Sequence, residues 1–253
     1  MHMSGTTKNR DGHGRLGSVL SGLAVAVGFL LFLGGLAGGA LLYRPYTVPT
    51  GSMAPTLDVG SKLLAQRIDG DEVRRGDVVV FEDPLWGQGT MVKRVVGVGG
   101  DTVACCGTDG RLTVNGAPIE EPYLPTGTAG PARASTEDFT ATVPADGLFL
   151  LGDDRITSLD SRTHLDDAAQ GSVPRSAVVA RVDAVAWPLP GGLVDRPAAF
   201  AALPGGTSDP GPVTLLLTAV AAGTALILGG AAYGPLATRP RGRGKSAGEK
   251  VKA

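Results

Sequence analysis

Two short segments of the chain hold residue types that could do chemistry together. In Val48-Pro49-Thr50-Gly51-Ser52-Met53-Ala54-Pro55-Thr56-Leu57, prolines and a glycine crowd around one hydroxyl. Such a backbone is stiff and presents the Ser52 hydroxyl at a fixed angle. In Met91-Val92-Lys93-Arg94-Val95-Val96-Gly97, a strand-like alternation puts Lys93 on the face of Met91 and Val95, with Arg94 on the other. An amine held against apolar neighbours loses hydration, which lowers its pKa. A neutral amine can take the proton of a serine hydroxyl, and the two then form a nucleophile with its base. Taken singly, each has a plainer reading: Ser52 as a turn or cap residue, Lys93 as a solvated strand residue.

Holding such a pair in place needs a rigid frame, and the middle of the chain supplies strands for one. Asp77–Phe81, Met91–Val98, Leu112–Val114, Gly147–Leu151 and Ala177–Trp187 favour β structure. Turn signals at Arg75-Gly76-Asp77, Gly99-Gly100-Asp101, Asp109-Gly110 and Asn115-Gly116 separate them. Asp109-Gly110 reads as a hairpin tip between Val103 and Leu112. No long amphipathic helix interrupts these runs, so the expected fold class is mostly β, with antiparallel strands. Pro122–Pro144 is rich in Pro, Gly, Ala and Thr and reads as a long surface loop or an inserted hairpin.

Charge sets this domain between two membrane spans. From Arg44 to Asp209 the chain carries 14 Lys/Arg against 22 Asp/Glu, while both ends are basic. Leu16–Tyr43 and Pro212–Thr238 contain no Asp, Glu, Lys, Arg or His, and each exceeds the roughly 20 residues a helix needs to cross the hydrocarbon core. Lys/Arg-rich flanks stay in the cytoplasm. The expected order is therefore a cytoplasmic N-terminus (1–15), a transmembrane helix (16–43), an extracytoplasmic domain (44–190), a linker (191–211), a second transmembrane helix (212–238) and a basic cytoplasmic tail (239–253). The first apolar run is longer than the roughly 7–15 residues of a cleaved signal and reads as a retained anchor. Gly38-Gly39-Ala40 is nonetheless a small-residue site at which cleavage stays open. Basic ends around an acidic middle suit a membrane protein, not a nucleic-acid binder.

Other reactive residues are few. Cys105 and Cys106 are adjacent, and outside the cytoplasm they could close a vicinal disulfide or stay reduced. Zinc would need more ligands than these two and His164, the only histidine of the middle region, so neither a metal nor an organic cofactor is expected. No Gly-x-Ser-x-Gly surrounds Ser52 to support a triad with His164, which reads as a surface residue.

Four boxes in order carry a resemblance to a known family. They are Gly51–Leu57, Arg75–Phe81, Lys93–Asp101 and Gly152-Asp153-Asp154-Arg155-Ile156-Thr157-Ser158-Leu159-Asp160-Ser161-Arg162. Between Tyr46 and Asp183 the chain resembles the type I signal peptidases, membrane-bound Ser–Lys proteases that remove signal peptides from exported proteins. The resemblance implies a signal-peptidase-like β fold with Ser52 as nucleophile and Lys93 as general base. The Ser52 N–H and the Thr50 hydroxyl, where the family commonly has serine, would bind the oxyanion. Ser158 would hold the Lys93 amine in line, and Asp153, Arg155, Asp160 and Arg162 would brace the turn around Ser158. Asp154 stands in place of a usual asparagine and Gly99 in place of a common proline.

The implied substrates are signal-peptide-bearing exported pre-proteins, cut at the outer face of the cell membrane. An extended substrate would add as a strand beside the catalytic edge, with shallow pockets for small residues such as alanine. Ser52 lies eight residues past Arg44, so an extended tether reaches only about 26 Å from the membrane. Membrane lipid is thus an expected partner, with Met53 and Leu57 pressing into the interface. Two other readings compete: a Ser–Lys maturase dedicated to one surface protein, and an inactive membrane-tethered β module that binds secreted chains. The second has no need of an intact Ser52 and Lys93. Oligomeric state stays open.

Overall fold

The computed structural model describes residues 12–107, 109–127, 130–131 and 133–238. The basic ends expected in the cytoplasm fall mostly outside these residues. The chain forms two compact units: a helical one from the segments before Ala40 and after Val213, and a β unit, Ala40–Val213.

The helical unit pairs α1 (Gly12–Leu42) with α2 (Val213–Thr238). Within them, Gly17–Leu42 and Val213–Tyr233 are long and apolar enough to cross a membrane. Ser21, Gly28 and Gly35 recur every seven residues on α1, as do Gly223 and Gly230 on α2, and these small residues meet. The Ser21 hydroxyl donates to the Gly230 carbonyl at 2.7 Å. A Cβ on Gly28 would lie 2.8 Å from the Gly223 carbonyl oxygen, and one on Gly223 2.6 Å from that of Gly28. In lipid, apolar side chains gain little by pairing, so close backbone approach through small residues is what holds two spans together.

The β unit contains β1 (Tyr43–Thr47), β2 (Lys62–Gln66), β3 (Val78–Phe81), β4 (Met91–Val98), β5 (Thr102–Cys105), β6 (Thr113–Val114), β7 (Ala117–Pro118), β8 (Thr126–Gly127), β9 (Gly130–Pro131), β10 (Phe139–Thr142), β11 (Gly147–Leu151), β12 (Val173–Pro174), β13 (Val178–Trp187) and β14 (Gly192–Leu193). The main sheet runs β1-β2-β13-β3-β4-β11-β12, with β14 on β13, and a smaller sheet runs β10-β5-β6-β7. Every pairing is antiparallel. The fold is mostly antiparallel β, as the strand-like runs imply.

β3 and β11 are buried at every position, because the main sheet is covered on both faces; that is why they read as unbroken apolar runs. Met53, Leu57, Leu63, Val80 and Val182 pack on one face, and Val79, Phe81, Val95, Leu148 and Leu150 on the other. Met53 and Leu57 are each only 1% exposed. The expectation that they press into lipid is therefore corrected: the 3-10 turn Gly51–Met53 tucks them under the sheet. The large apolar side chains left exposed on this unit include Val59, Leu85, Ile156, Leu159, Trp187 and Leu189.

Turn chemistry follows the residues. Asn115 (φ 55°) and Gly116 (φ 79°) make the two-residue turn between β6 and β7, the backbone a type I′ hairpin requires. Pro122–Pro144 folds into the small β8–β9 hairpin and then β10, which zips onto β5. The stretch expected as a linker lies against the sheet. Phe200 is fully buried in the core with Val96 and Phe149, and Arg196 bridges Asp77 (3.2 Å) and Asp183 (2.7 Å).

Candidate active site

Lys93 sits where β4 loses one of its neighbours. β3 pairs with β4 along its first half, matching Val79 to Lys93, whereas β11 pairs only as far as Arg94. Among the described residues, Met91, Val92 and Lys93 therefore have a strand on one side only. Against this end of β4 lies the 3-10 turn Gly51–Met53, which carries Ser52.

Lys93 Nζ and Ser52 Oγ are 2.6 Å apart, with the two residues 6% and 9% exposed. No carboxylate forms an ion pair with Lys93 among the described residues. Burial pushes the amine below the ordinary lysine range; Asp160 and Asp153 oppose that shift from a distance and Arg162 adds to it. Desolvation wins because the acids are already committed to arginines. A neutral Nζ offers a lone pair, so the Ser52 O–H can donate to it. Thr50, extended ahead of the turn, places its hydroxyl 3.2 Å from Ser52 Oγ.

The segment after β11 fixes the serine backbone. The Asp154 N–H donates to the Ser52 carbonyl at 3.1 Å, and the Gly152 N–H donates to Asp160 Oδ2 at 3.0 Å. Gly152 has no room for a side chain: a Cβ would lie 2.4 Å from the Ser52 carbonyl oxygen and 2.1 Å from Ser158 Oγ. Asp160 pairs with the Arg162 guanidinium at 2.8 Å and accepts the Arg162 N–H, capping the following turn. Ser158 is buried beside Gly152, and its hydroxyl has no hydrogen-bond partner among the described residues. The contact with the Lys93 amine expected of it is not formed in this geometry.

Asp153 accepts two bonds from Arg94, at 2.9 and 2.7 Å, and one from the Thr56 hydroxyl at 2.5 Å. Arg155 donates to the carbonyls of Gly152 (3.0 Å) and Ala134 (2.8 Å) and pairs with Glu121. Sequence alone gives no role to Arg94, Thr56, Glu121 or Tyr123. The signal for Arg94 was present, since a second cation inside a buried strand needs its own acid; Glu121 and Tyr123 lie in a segment with no periodic pattern. The Asp154 carboxylate accepts from the Ile156 and Thr157 N–H groups and the Thr157 hydroxyl, a capping job an asparagine oxygen could also do. At Gly99 a Cβ would lie 1.8 Å from the Ala145 carbonyl oxygen, so the bare backbone is required there.

Beside Ser52 and Lys93 lies a cavity of about 60 Å³, lined by Val48, Pro49, Met53, Met91 and Val92. That is room for a side chain of a few heavy atoms, given the roughly 30 Å³ each water occupies. A larger open groove between Thr56, Leu124 and Leu189 touches neither residue. His164 stacks on Trp86 and contacts Asp167, apart from the Ser52 turn. Cys105 and Cys106 are joined as a vicinal disulfide at the end of β5. Among the described residues no group of His, Cys, Asp and Glu is arranged to hold a metal ion.

Comparison with known proteins bears on the same residues. The family described as "Signal peptidase, peptidase S26" matches residues 20–187. A signal peptidase I of Mycobacterium tuberculosis is 34% identical over 192 residues, covering 57% of this chain; the chain spans 65% of that relative's length. One from Bacillus caldolyticus is 32% identical over 198 residues, covering 72% of this chain and 96% of the relative. The crystal structure of a signal peptidase I from Enterococcus faecalis aligns at 29% identity with a TM-score of 0.35, over 43% of this chain and 94% of that one. With the match running from within α1 to the end of β13, and so through Ser52, Lys93 and the Gly152–Arg162 turn, the chain belongs to the signal peptidase family, peptidase S26.

Proposed function

We propose that this chain is a membrane-bound serine endopeptidase that removes signal peptides from exported pre-proteins at the outer face of the membrane. The observation that carries the reading is the 2.6 Å approach of Ser52 Oγ to a buried amine with no ion-pair partner among the described residues. In its neutral form, which burial favours, Lys93 accepts the Ser52 proton as Oγ attacks the scissile carbonyl carbon. The Ser52 N–H and the Thr50 hydroxyl hold the resulting oxyanion. Lys93 then gives the proton to the leaving amine, the peptide bond breaks, and an acyl-enzyme ester on Ser52 remains. A water molecule, deprotonated by Lys93, attacks that ester; the acyl C–O bond breaks, Lys93 returns the proton to Ser52 Oγ, and the acyl part leaves as a carboxylic acid.

Substrate selection follows from the same place. The open side of β4 at Met91–Val92 accepts an extended chain by strand addition. The adjoining cavity of about 60 Å³ takes a small residue before the cut, and a leucine or phenylalanine would have to displace Met53 or Val92. The two apolar helices anchor the domain with both chain ends in the cytoplasm, so the nucleophile meets chains as they emerge. Asp153, Arg155, Asp160 and Arg162 seat the serine and lysine without touching substrate, while Ser158 only packs beside Gly152.

The test is Ser52→Ala on the full chain reconstituted in lipid, incubated with a panel of ordinary pre-proteins. The reading predicts a rate loss of at least ~10³-fold with the melting transition kept. A fully active variant would reject the mechanism, and cleavage confined to one member of the panel would favour a dedicated maturase.

A further inference from the structure

Arg155 is 5% exposed, and a guanidinium so deep needs a charged partner. Its partner comes from far along the chain: Glu121, whose side chain is 3% exposed, pairs with both terminal nitrogens. The Tyr123 hydroxyl donates to the same carboxylate. Burial pushes that phenol well above its ordinary pKa, so it stays a donor. The Tyr123 ring lies 4.0 Å from the Arg94 guanidinium carbon, a stacked cation–π contact. Glu121 and Tyr123 thus touch both arginines that frame the site. Arg155 holds the Gly152 carbonyl, and Gly152 abuts the Ser52 carbonyl. Arg94 follows Lys93 and holds Asp153, one of the acids that act on the Lys93 amine. The strap bearing Glu121 and Tyr123 leaves β7 and is rooted in the smaller sheet by Ile119, which is 1% exposed and donates its N–H to the Leu112 carbonyl at 2.8 Å.

We infer that Glu121 is a positioning residue for the Ser52–Lys93 pair, acting through Arg155 and, with Tyr123, through Arg94, so that the smaller sheet sets the geometry of the reactive couple. This rests on the proposed function. The strap gives the smaller sheet, which contributes no residue to the Ser52–Lys93 contact, a direct hold on it. Without the Glu121 carboxylate, Arg155 keeps its charge but loses its anchor, the Gly152 carbonyl loses a fixed donor, and the seat of Ser52 loosens. The uncompensated Arg155 charge also competes for Asp153, one of the acids that favour an ammonium on Lys93.

The test compares wild type, Glu121→Gln, Glu121→Asp and Tyr123→Phe as full chains in lipid vesicles, with kcat and KM for a signal-peptide-bearing pre-protein measured across pH. For Glu121→Gln, kcat falls by about tenfold or more, KM stays within about twofold, and the acid limb of the profile moves to lower pH. Glu121→Asp recovers most of the rate. Tyr123→Phe keeps the ring over Arg94 but loses the hydroxyl bond, and lowers kcat by about two- to fivefold. A Glu121→Gln chain with wild-type kcat and acid limb overturns the inference, whatever its melting temperature. Should that variant not fold, a Tyr123→Phe chain with wild-type kcat overturns it instead. If wild type cleaves nothing, the functional reading falls and the inference with it; variants that match an active wild type remove the inference alone.

Discussion

An amine buried without an ion pair leaves its mark on folding as well as on catalysis. The native pKa of Lys93 lies below its ordinary value of 10.5. Between the two values the unfolded chain binds a proton that the native chain lacks, so stability rises with pH across that window, and below the native pKa the full cost is present. Lys93→Met fills the same space without charge. It should abolish cleavage, raise Tm at neutral pH by about 2 °C or more, and remove this part of the pH dependence in thermal melts. Gly152 carries a second residue-scale expectation. A Cβ there collides with the Ser52 carbonyl oxygen and Ser158 Oγ, so Gly152→Ala should cost about 100-fold in rate through misplacement of the serine and about 1–3 kcal/mol in stability, read by kinetics and denaturant unfolding. Ser52 and Lys93 stand out in the sequence as a candidate pair through the order of the four boxes, since singly each reads as a turn or strand residue. Glu121 and Tyr123 do not stand out, because their importance comes from buried arginines that reach them only in three dimensions.

Among the elements, the strands read best where burial on both faces leaves an unbroken apolar run, as in β3 and β11. β2 was missed. Its sequence Lys62-Leu63-Leu64-Ala65-Gln66 consists of good helix formers, yet pairing to β1 on one side and β13 on the other makes it a strand; tertiary pairing overrides so short a propensity signal. Both long helices were evident from length and lack of charge, and glycines within them are residues through which they touch. Gly223→Leu should push the helices apart at a cost on the order of 1 kcal/mol of pairing. With cysteines at positions 21 and 230, which face each other, oxidative cross-linking in membranes should fall markedly when Gly223→Leu is added. Unchanged cross-linking would mean that the glycine contact does not hold the pair.

For the whole molecule, composition marked out an acidic β unit between apolar spans, but not how much of the chain belongs to that unit. Residues 191–211 look like a spacer, with Pro, Gly and Ala throughout. Phe200 nevertheless fills a gap in the core, and Arg196 satisfies two buried acids. Burial of one aromatic against strands far away in sequence leaves no periodic trace, which is why a linker was the natural reading. The chain's behaviour as a whole turns on whether a neutral amine activates the serine while the domain is held at the membrane. The direct measurement is the pH–rate profile of the lipid-reconstituted full chain on a pre-protein, with Lys93→Met alongside. The account predicts an acid limb well below the roughly 10.4 of a free lysine, and no such limb or activity in the variant. A limb at the ordinary lysine value, or cleavage that survives Lys93→Met, would contradict it.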